Sequence, residues 1–346
     1  MKYKVLQMRG GAPDKIQLHH DKNKIILIHK DFCNLVDYTA EELVKLFHEN
    51  TYILPADEGD ILHANKLQKE MFNLGVDQSM ILLPQVKLDE GYLKIMDYQA
   101  VSKDSDFYKN LEEYTGVKYA DFKSYTIEEF EKLNINSDDI KVYKTTLGSG
   151  SRGVILVNPN RIHLGYKYRN CLVSDEFNKF LSFAIQNNAR IMIQDFIPEY
   201  AKNGNKLTKI NVDFFIRNGK LIGYKWDKTD PSEVFTNWNF GWFYRSNYTD
   251  SIMNSLANYL IKKLGIYNAI MNFEAFSDNE SETWLIEFNF RYSNSTFEYQ
   301  AVGVDPISSY IENIDIMRAI PYGENKFTRY WQCKLYLDVE NYHNTK

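Results

Sequence analysis

The sequence predicts a mixed fold: a small α/β domain of strands alternating with helices, followed by two α+β lobes. Three observations predict it. Over residues 1–97, short apolar runs alternate with amphipathic stretches, the pattern of a parallel sheet with crossover helices. Near residue 150 a glycine-rich loop separates two apolar strands. Beyond residue 200 strand patterns come in pairs, one of them joined by Asn218-Gly219, a strong two-residue hairpin turn.

In chain order, KIILIHK (24–30) and TYILPAD (51–57) read as buried strands. TAEELVKLFHEN (39–50) reads as a helix capped by Thr39 with Glu42 three residues on, a capping-box signature. ILHANKLQKEMFNLG (61–75) reads as a second helix stopped by Gly75. Asp57, Glu58 and Asp60 sit at a strand end, where a solvated loop competes with a ligand role. Residues 98–134 read as a helical, charged connection: FYKNLEEYTGV ends on a glycine stop, and TIEEFEKL follows. Residues 135–196 read as a compact lobe: strand IKVYKTT, loop LGSGSRG, strand VILVN, a helix over 174–187 and strand RIMIQDFI. Residues 197–346 read as a larger lobe. It opens with the KINVDFFIR/KLIGYKW hairpin and a long aromatic loop over 227–248. A helix over 250–264, the strands AIMNFEAF and TWLIEFNF, a helix over 306–318 and a strand RYWQCKLYL complete it.

Bulk properties exclude several classes. The chain has 346 residues, 44% hydrophobic and 25% charged, with a net charge of −5. That charge gives no basic footprint for nucleic acid. Cys33, Cys171 and Cys333 are too far apart for a C-x-x-C pair, and His19-His20 has no companion ligands, so neither a disulfide framework nor a zinc site is expected. The N-terminus has no signal-peptide core, and no apolar run reaches the roughly 18 residues of a membrane span. The expectation is a soluble cytoplasmic protein with no membrane partner.

Two constellations carry chemistry. Gly148-Ser149-Gly150-Ser151-Arg152-Gly153 is a candidate phosphate cradle, because glycines let backbone N–H groups approach an oxyanion. It lacks the Gly-Lys-Ser/Thr ending of a P-loop, and no H-R-D or D-F-G sequence accompanies it. Lys144 lies on the strand before the loop, placed to give phosphates a point charge. The second constellation is Trp284-Leu285-Ile286-Glu287-Phe288-Asn289-Phe290-Arg291. Strict alternation would put Trp284, Ile286, Phe288 and Phe290 on the core and Glu287, Asn289 and Arg291 on the other face. Glu274 on the preceding strand should stand opposite or diagonal to Glu287, within about 5–8 Å. Carboxylates gathered there with no lysine partner would repel each other, and a hard cation such as Mg²⁺ would relieve it.

These motifs, in this order, resemble the ATP-grasp superfamily, in the branch similar to carbamoyl-phosphate synthetase and biotin carboxylase. The resemblance spans roughly residues 98–300. It implies an ATP-grasp fold, two α+β lobes sandwiching ATP, preceded by a pre-ATP-grasp α/β domain at 1–97. Lys144 and Gly148–Gly153 resemble the family's lysine strand and glycine flap, with Thr145 where proline is usual. Lys103 occupies the place of the earlier ATP-binding lysine, with Ser102 for the usual Asp. Gln194-Asp195-Phe196-Ile197 resembles the interlobe hinge against which adenine lies, and Glu199 stands for the ribose contact. Glu274, Glu287 and Asn289 match the Mg²⁺ (or Mn²⁺) ligands, and Arg291 the arginine that meets the phosphoryl group.

The implied reaction is ATP-dependent carboxylate–amine ligation through an acyl phosphate, on an amino acid or peptide; a homodimer is compatible with it. Lys225, Lys228 and Arg245 are candidates to hold the substrate carboxylate, and Lys225 is also a candidate catalytic residue beside Arg291. Trp226, Trp238 and Trp242 either wall that pocket or pack the core beneath the loop. A phosphotransferase and a non-catalytic ATP-binding module remain the alternatives.

Overall fold

The computed structural model describes residues 104–133, 140–146, 154–157, 174–228, 240–291 and 304–328, with shorter pieces of the first 97 residues (3–8, 25–30, 51–55, 84–88, 93–95 and positions within 39–45, 70–75 and at 82). The expected glycine loop, Lys103, Trp238 and the strand at 329–337 lie outside the described residues.

Strands β1 (Tyr3–Met8), β2 (Ile25–Lys30) and β3 (Thr51–Pro55) form a parallel sheet in the order β2-β1-β3. β1 was not predicted. Between β2 and β3, Thr39 and Glu42 exchange both capping-box hydrogen bonds, at 2.9 and 3.2 Å. Gly75 ends its turn at a left-handed φ of 84°.

Residues 98–134 are more than a helical connection. Helix α1 (Ser105–Thr115) starts on Asp104 and stops on Gly116, which is left-handed. Helix α2 (Ile127–Glu131) starts on a Thr126/Glu129 capping box. Between them lie two strands the charge pattern concealed, β6 (Lys118–Tyr119) and β7 (Phe122–Tyr125). The first joins one sheet and the second another, so the chain crosses between lobes at Ala120-Asp121.

The smaller of those sheets is antiparallel, in the order β7-β10-β8-β9, from β8 (Lys141–Thr145), β9 (Val154–Val157) and β10 (Ile191–Asp195). Helix α3 (Ser174–Gln186) and α2 cover one face, burying Phe130, Tyr143, Ile155, Phe180, Ala184 and Ile191 together. By alternation Lys144 points from the uncovered face.

The larger sheet has nine strands among the described residues. Its main path is β16-β13-β12-β11-β14-β15-β6, with β4 (Gln85–Lys87) and β5 (Leu93–Ile95) attached to β14. The others are β11 (Thr208–Arg217), β12 (Lys220–Lys228), β13 (Phe240–Arg245), β14 (Ile266–Ser277), β15 (Thr283–Asn289) and β16 (Gly323–Thr328). β13 occupies what the sequence presents as an aromatic loop. The β11–β12 turn is the expected one: Asn218 and Gly219 have φ of 53° and 69°, between the paired Arg217 and Lys220. Helices α1 and α4 (Asn247–Leu264) cover one face, on Ile210, Val212, Phe214, Tyr224, Trp226, Met271 and Phe273. Trp226 therefore packs in the core, its indole N–H donating to Asn279.

The opposite face divides along each strand. At one end Phe215, Ile222 and Ile270 pack under α5 (Pro306–Ile311) and a following 3-10 turn at Ile316–Ala319. These two pieces replace the single helix expected over 306–318; Asn313, left-handed at φ 55°, breaks it. At the other end Phe276 and Leu207 meet Ala120, Ile197 and Ala201. Between these apolar ends the face is polar.

Gly223 holds the first apolar end together. A Cβ there would lie 2.5 Å from the Cβ of buried Ile316, too close for either backbone to accept. Gly223→Ala is expected to cost about 1–3 kcal/mol, the range for an overpacked core, measured as a shift in urea midpoint with an unchanged slope.

Candidate functional site

The polar middle of the sheet is built by register. Glu287 on β15 lies directly across from Glu274 on β14, Glu274 from Asn211 on β11, and Asn211 from Asp227 on β12. The next row runs Asn289, Asn272, Asp213, Lys225 across the same four strands. Alternation puts both rows on the face away from α1 and α4.

The expected carboxylate hairpin is present, with one difference. The ladder shifts between Glu274 and Ala275: Glu274 faces Glu287, but Ala275 faces Leu285. Ile286 is thus an extra residue, a bulge, and strict alternation fails there. Leu285, Phe288 and Phe290 enter the main core, while Trp284 and Ile286 pack on the opposite face beside Ile197 and Phe276. Bulges re-aim side chains in this way, and this one sets an apolar wall beside the carboxylates.

A second expectation needs correcting. The carboxylates do not lack lysine. Lys209 of β11 approaches Glu274 at 2.6 Å. Burial works against its ammonium, but Glu274 and, more weakly, Glu287 outweigh that and hold its pKa above the ordinary lysine value. From the other lobe, Lys144 stands in the field of the same carboxylates. Burial pushes its ammonium below the ordinary value, Lys209 adds to that, and Glu287 and Glu274 push back. Two lysines, one from each lobe, therefore share the field of the two glutamates.

The Asn289 amide is 8% exposed, and its Nδ2 donates to Asn272 Oδ1 at 3.1 Å, which leaves Oδ1 as an acceptor. Half-buried Arg291 follows the end of β15. Among the described residues no three His, Cys, Asp or Glu side chains gather at one point. The donors Glu274, Glu287 and Asn289 are all hard oxygens, which fits Mg²⁺ or Mn²⁺. Three protein oxygens leave the rest of an octahedral shell to phosphates and water, the usual arrangement for Mg²⁺.

No protein-family model matches the chain, and no curated protein sequence matches it. Solved structures do. D-alanine–D-alanine ligase from Bacillus anthracis, complexed with ATP, superposes with a TM-score of 0.51 at 15% identity, over 92% of this chain and 94% of that one. D-alanyl-alanine synthetase A from Vibrio cholerae O1 biovar eltor gives 0.53 at 10%, over 91% and 99%. Biotin carboxylase from Campylobacter jejuni, in a β-γ-ATP complex, gives 0.52 at 14%, over 86% and 62%. The chain has the ATP-grasp fold. At these identities the likeness speaks for architecture alone.

Within the ATP-grasp fold the other expected residues fall as follows. Gln194 and Asp195 end β10, where the chain recrosses between lobes. Gln194 is buried and donates to the Ala120 carbonyl at 3.3 Å; the Asp195 N–H donates to the Asp121 carbonyl at 2.8 Å. The Asp195 carboxylate is exposed and pairs with Lys141 at 2.6 Å. Phe196 is half-buried and Ile197 buried. Glu199 is exposed, 3.7 Å from Lys206. Arg245 is tied to Asp250 and to the carbonyls of Met317 and Ile320.

Lys225 is the largest displacement from expectation. It is fully buried on β12, 3.3 Å from Asp213 and 3.9 Å from Asp227, with its ammonium over the Phe243 ring. A lysine sealed between two aspartates cannot reach a substrate carboxylate. Lys209, Asp213 and Asn272 were missed, although Lys209-Ile210-Asn211-Val212-Asp213 and Met271-Asn272-Phe273-Glu274 carry the signal: polar residues alternate with apolar ones through two central strands.

The Lys209–Glu274 pair makes a direct forecast. Lys209→Met frees Glu274 and should tighten Mn²⁺ binding by about 1.4- to fivefold, matching ~0.2–1 kcal/mol for a partly exposed ion pair. Titration at low and high salt checks it, and the gain should shrink with salt.

Proposed function

We infer that the chain is an ATP-dependent ligase that activates a carboxylate as its phosphoric anhydride and joins it to an amine, with an amino acid or peptide as substrate. The observation that carries this is the facing pair Glu274 and Glu287 with Asn289 beside it, beneath Lys144 from the opposite lobe. Such a set gathers hard oxygens and cations around one point between two lobes, which is what a polyphosphate and its counter-ion need. The ATP-grasp fold and the nucleotides bound in similar structures support it.

In this reading Glu274, Glu287 and Asn289 hold Mg²⁺, which neutralises charge on the phosphates when bound. Lys144 binds phosphate oxygens. Lys103 and Gly148–Gly153 complete the phosphate cradle and exclude water, which otherwise hydrolyses the activated acid. Trp284, Ile286, Phe276 and Ile197 offer the base an apolar wall, with the backbone at Phe196-Ile197 and Glu199 on the nucleoside. Arg291 faces the transferred phosphoryl group. A substrate carboxylate oxygen attacks the γ-phosphorus and ADP leaves; the amine nitrogen then attacks the acyl carbon, and phosphate leaves as the amine loses a proton.

The test is a product assay. ADP and free phosphate should form in equal amounts, and only with both an acid and an amine from an amino-acid panel. Phosphate kept on a stable product would make the enzyme a phosphotransferase; AMP with pyrophosphate would sink the assignment. Glu287→Gln should keep its far-UV spectrum and melting temperature but lose at least about a hundredfold in ADP release, on the scale of removing one electrostatic stabiliser.

A further inference from the structure

Asn289 is the one amide in the expected metal set. An amide offers oxygen on one side and NH₂ on the other, so its use as a metal ligand depends on which way it is held. The sheet holds it. Asn289 donates Nδ2 to Oδ1 of Asn272 at 3.1 Å. Asn272 donates its own Nδ2 to Asp213 Oδ1 at 3.2 Å, to the Val212 carbonyl at 3.2 Å, and to the Asn211 side chain. A carboxylate and a carbonyl only accept, so Asn272 must turn NH₂ toward them and oxygen toward Asn289. Asn289 must then turn NH₂ toward Asn272, which leaves its oxygen for the site. Behind Asp213 stands Lys225, 3.3 Å from Oδ2. Asp213 is 1% exposed and Lys225 is fully buried. An ammonium only donates, so Oδ2 of Asp213 accepts from it. The file is one-way at its far end, and the direction is passed on at each link.

We propose that Asn272, backed by Asp213 and Lys225, is a positioning residue that fixes the Asn289 amide oxygen toward a divalent cation. This rests on the metal reading of the hairpin given above. It gives work to residues one, two and three strands away from β15, and it explains why polar groups are sealed in the sheet beneath the site. Outer-shell partners of this kind commonly change metal affinity by about 10- to 100-fold.

The experiment follows Mn²⁺·ADP binding to the full chain by water-proton relaxation, with no turnover involved. Asn272→Leu should weaken binding by about tenfold or more. A carboxylate at 289 presents oxygen whichever way it turns. The double variant Asn272→Leu/Asn289→Asp should therefore bind as tightly as Asn289→Asp alone. A purely structural role for Asn272 would leave the double variant as weak as Asn272→Leu, and would overturn the proposal. Asp213→Asn is a near-isosteric second route: Lys225 claims the amide oxygen, NH₂ turns toward Asn272, and the file loses one of its acceptors and gains a competing donor, with the Val212 carbonyl left to oppose it. Weaker binding restored by Asn289→Asp is again expected, and unchanged binding in both Asn272→Leu and Asp213→Asn overturns the idea. Failure of the underlying metal reading has its own signature, Glu287→Gln binding Mn²⁺·ADP as tightly as the unaltered chain.

Discussion

Lys225 and Asp213 are sealed inside the larger sheet 3.3 Å apart, and the polar face of that sheet depends on their pairing. Removing one partner of a buried pair leaves a stranded charge, at about 3–5 kcal/mol, a large share of a domain's net stability. That penalty holds β11 and β12 in a single register, since a slip by one residue would turn the charges into the apolar core. The partly exposed pair Lys209–Glu274 is of the opposite kind. Solvent and salt reach it, its net worth is near 0–1 kcal/mol, and a cation competes with it at little cost. The same face thus carries a charge cluster that fixes geometry and an ion pair that can yield.

The bulge at Ile286 adds the second ingredient. Without the extra residue, β15 would send its side chains alternately inward and outward along its whole length. With it, Ile286 joins Trp284 in an apolar strip, and Glu287 still meets Glu274 directly. Apolar wall and carboxylates sit next to one another on rigid strands, so neither waits on a loop to be ordered.

Much of this was legible in the sequence because the signals were local. Asn218-Gly219, Thr39/Glu42 and the glycine stops each act within a few residues, and the facing glutamates follow from a short hairpin. What escaped needed partners far along the chain. Nothing in Trp-Leu-Ile-Glu-Phe announces an extra residue, because a bulge is defined by the strand across from it. Lys225 resembled an available ligand beside an aromatic loop; only the pairing of β12 with β11 puts it between aspartates. Lys209 lies 65 positions before Glu274, too far for spacing to reveal the contact. The strands β6 and β7 are short and borrow their structure from neighbours, and the aromatic run of β13 becomes a strand only by pairing with β12 and β16.

The two crossings between lobes, at Ala120-Asp121 and after Asp195, run side by side and are stitched by the Asp195 N–H and the Gln194 amide. A body joined to another at one point can tumble in any direction. Joined along a line, it keeps a single easy rotation, as a door does on its frame. The smaller lobe is attached in the second manner. Any rotation about that line would move Lys144 along one arc relative to Glu274 and Glu287, and would leave its sideways position on the sheet unchanged.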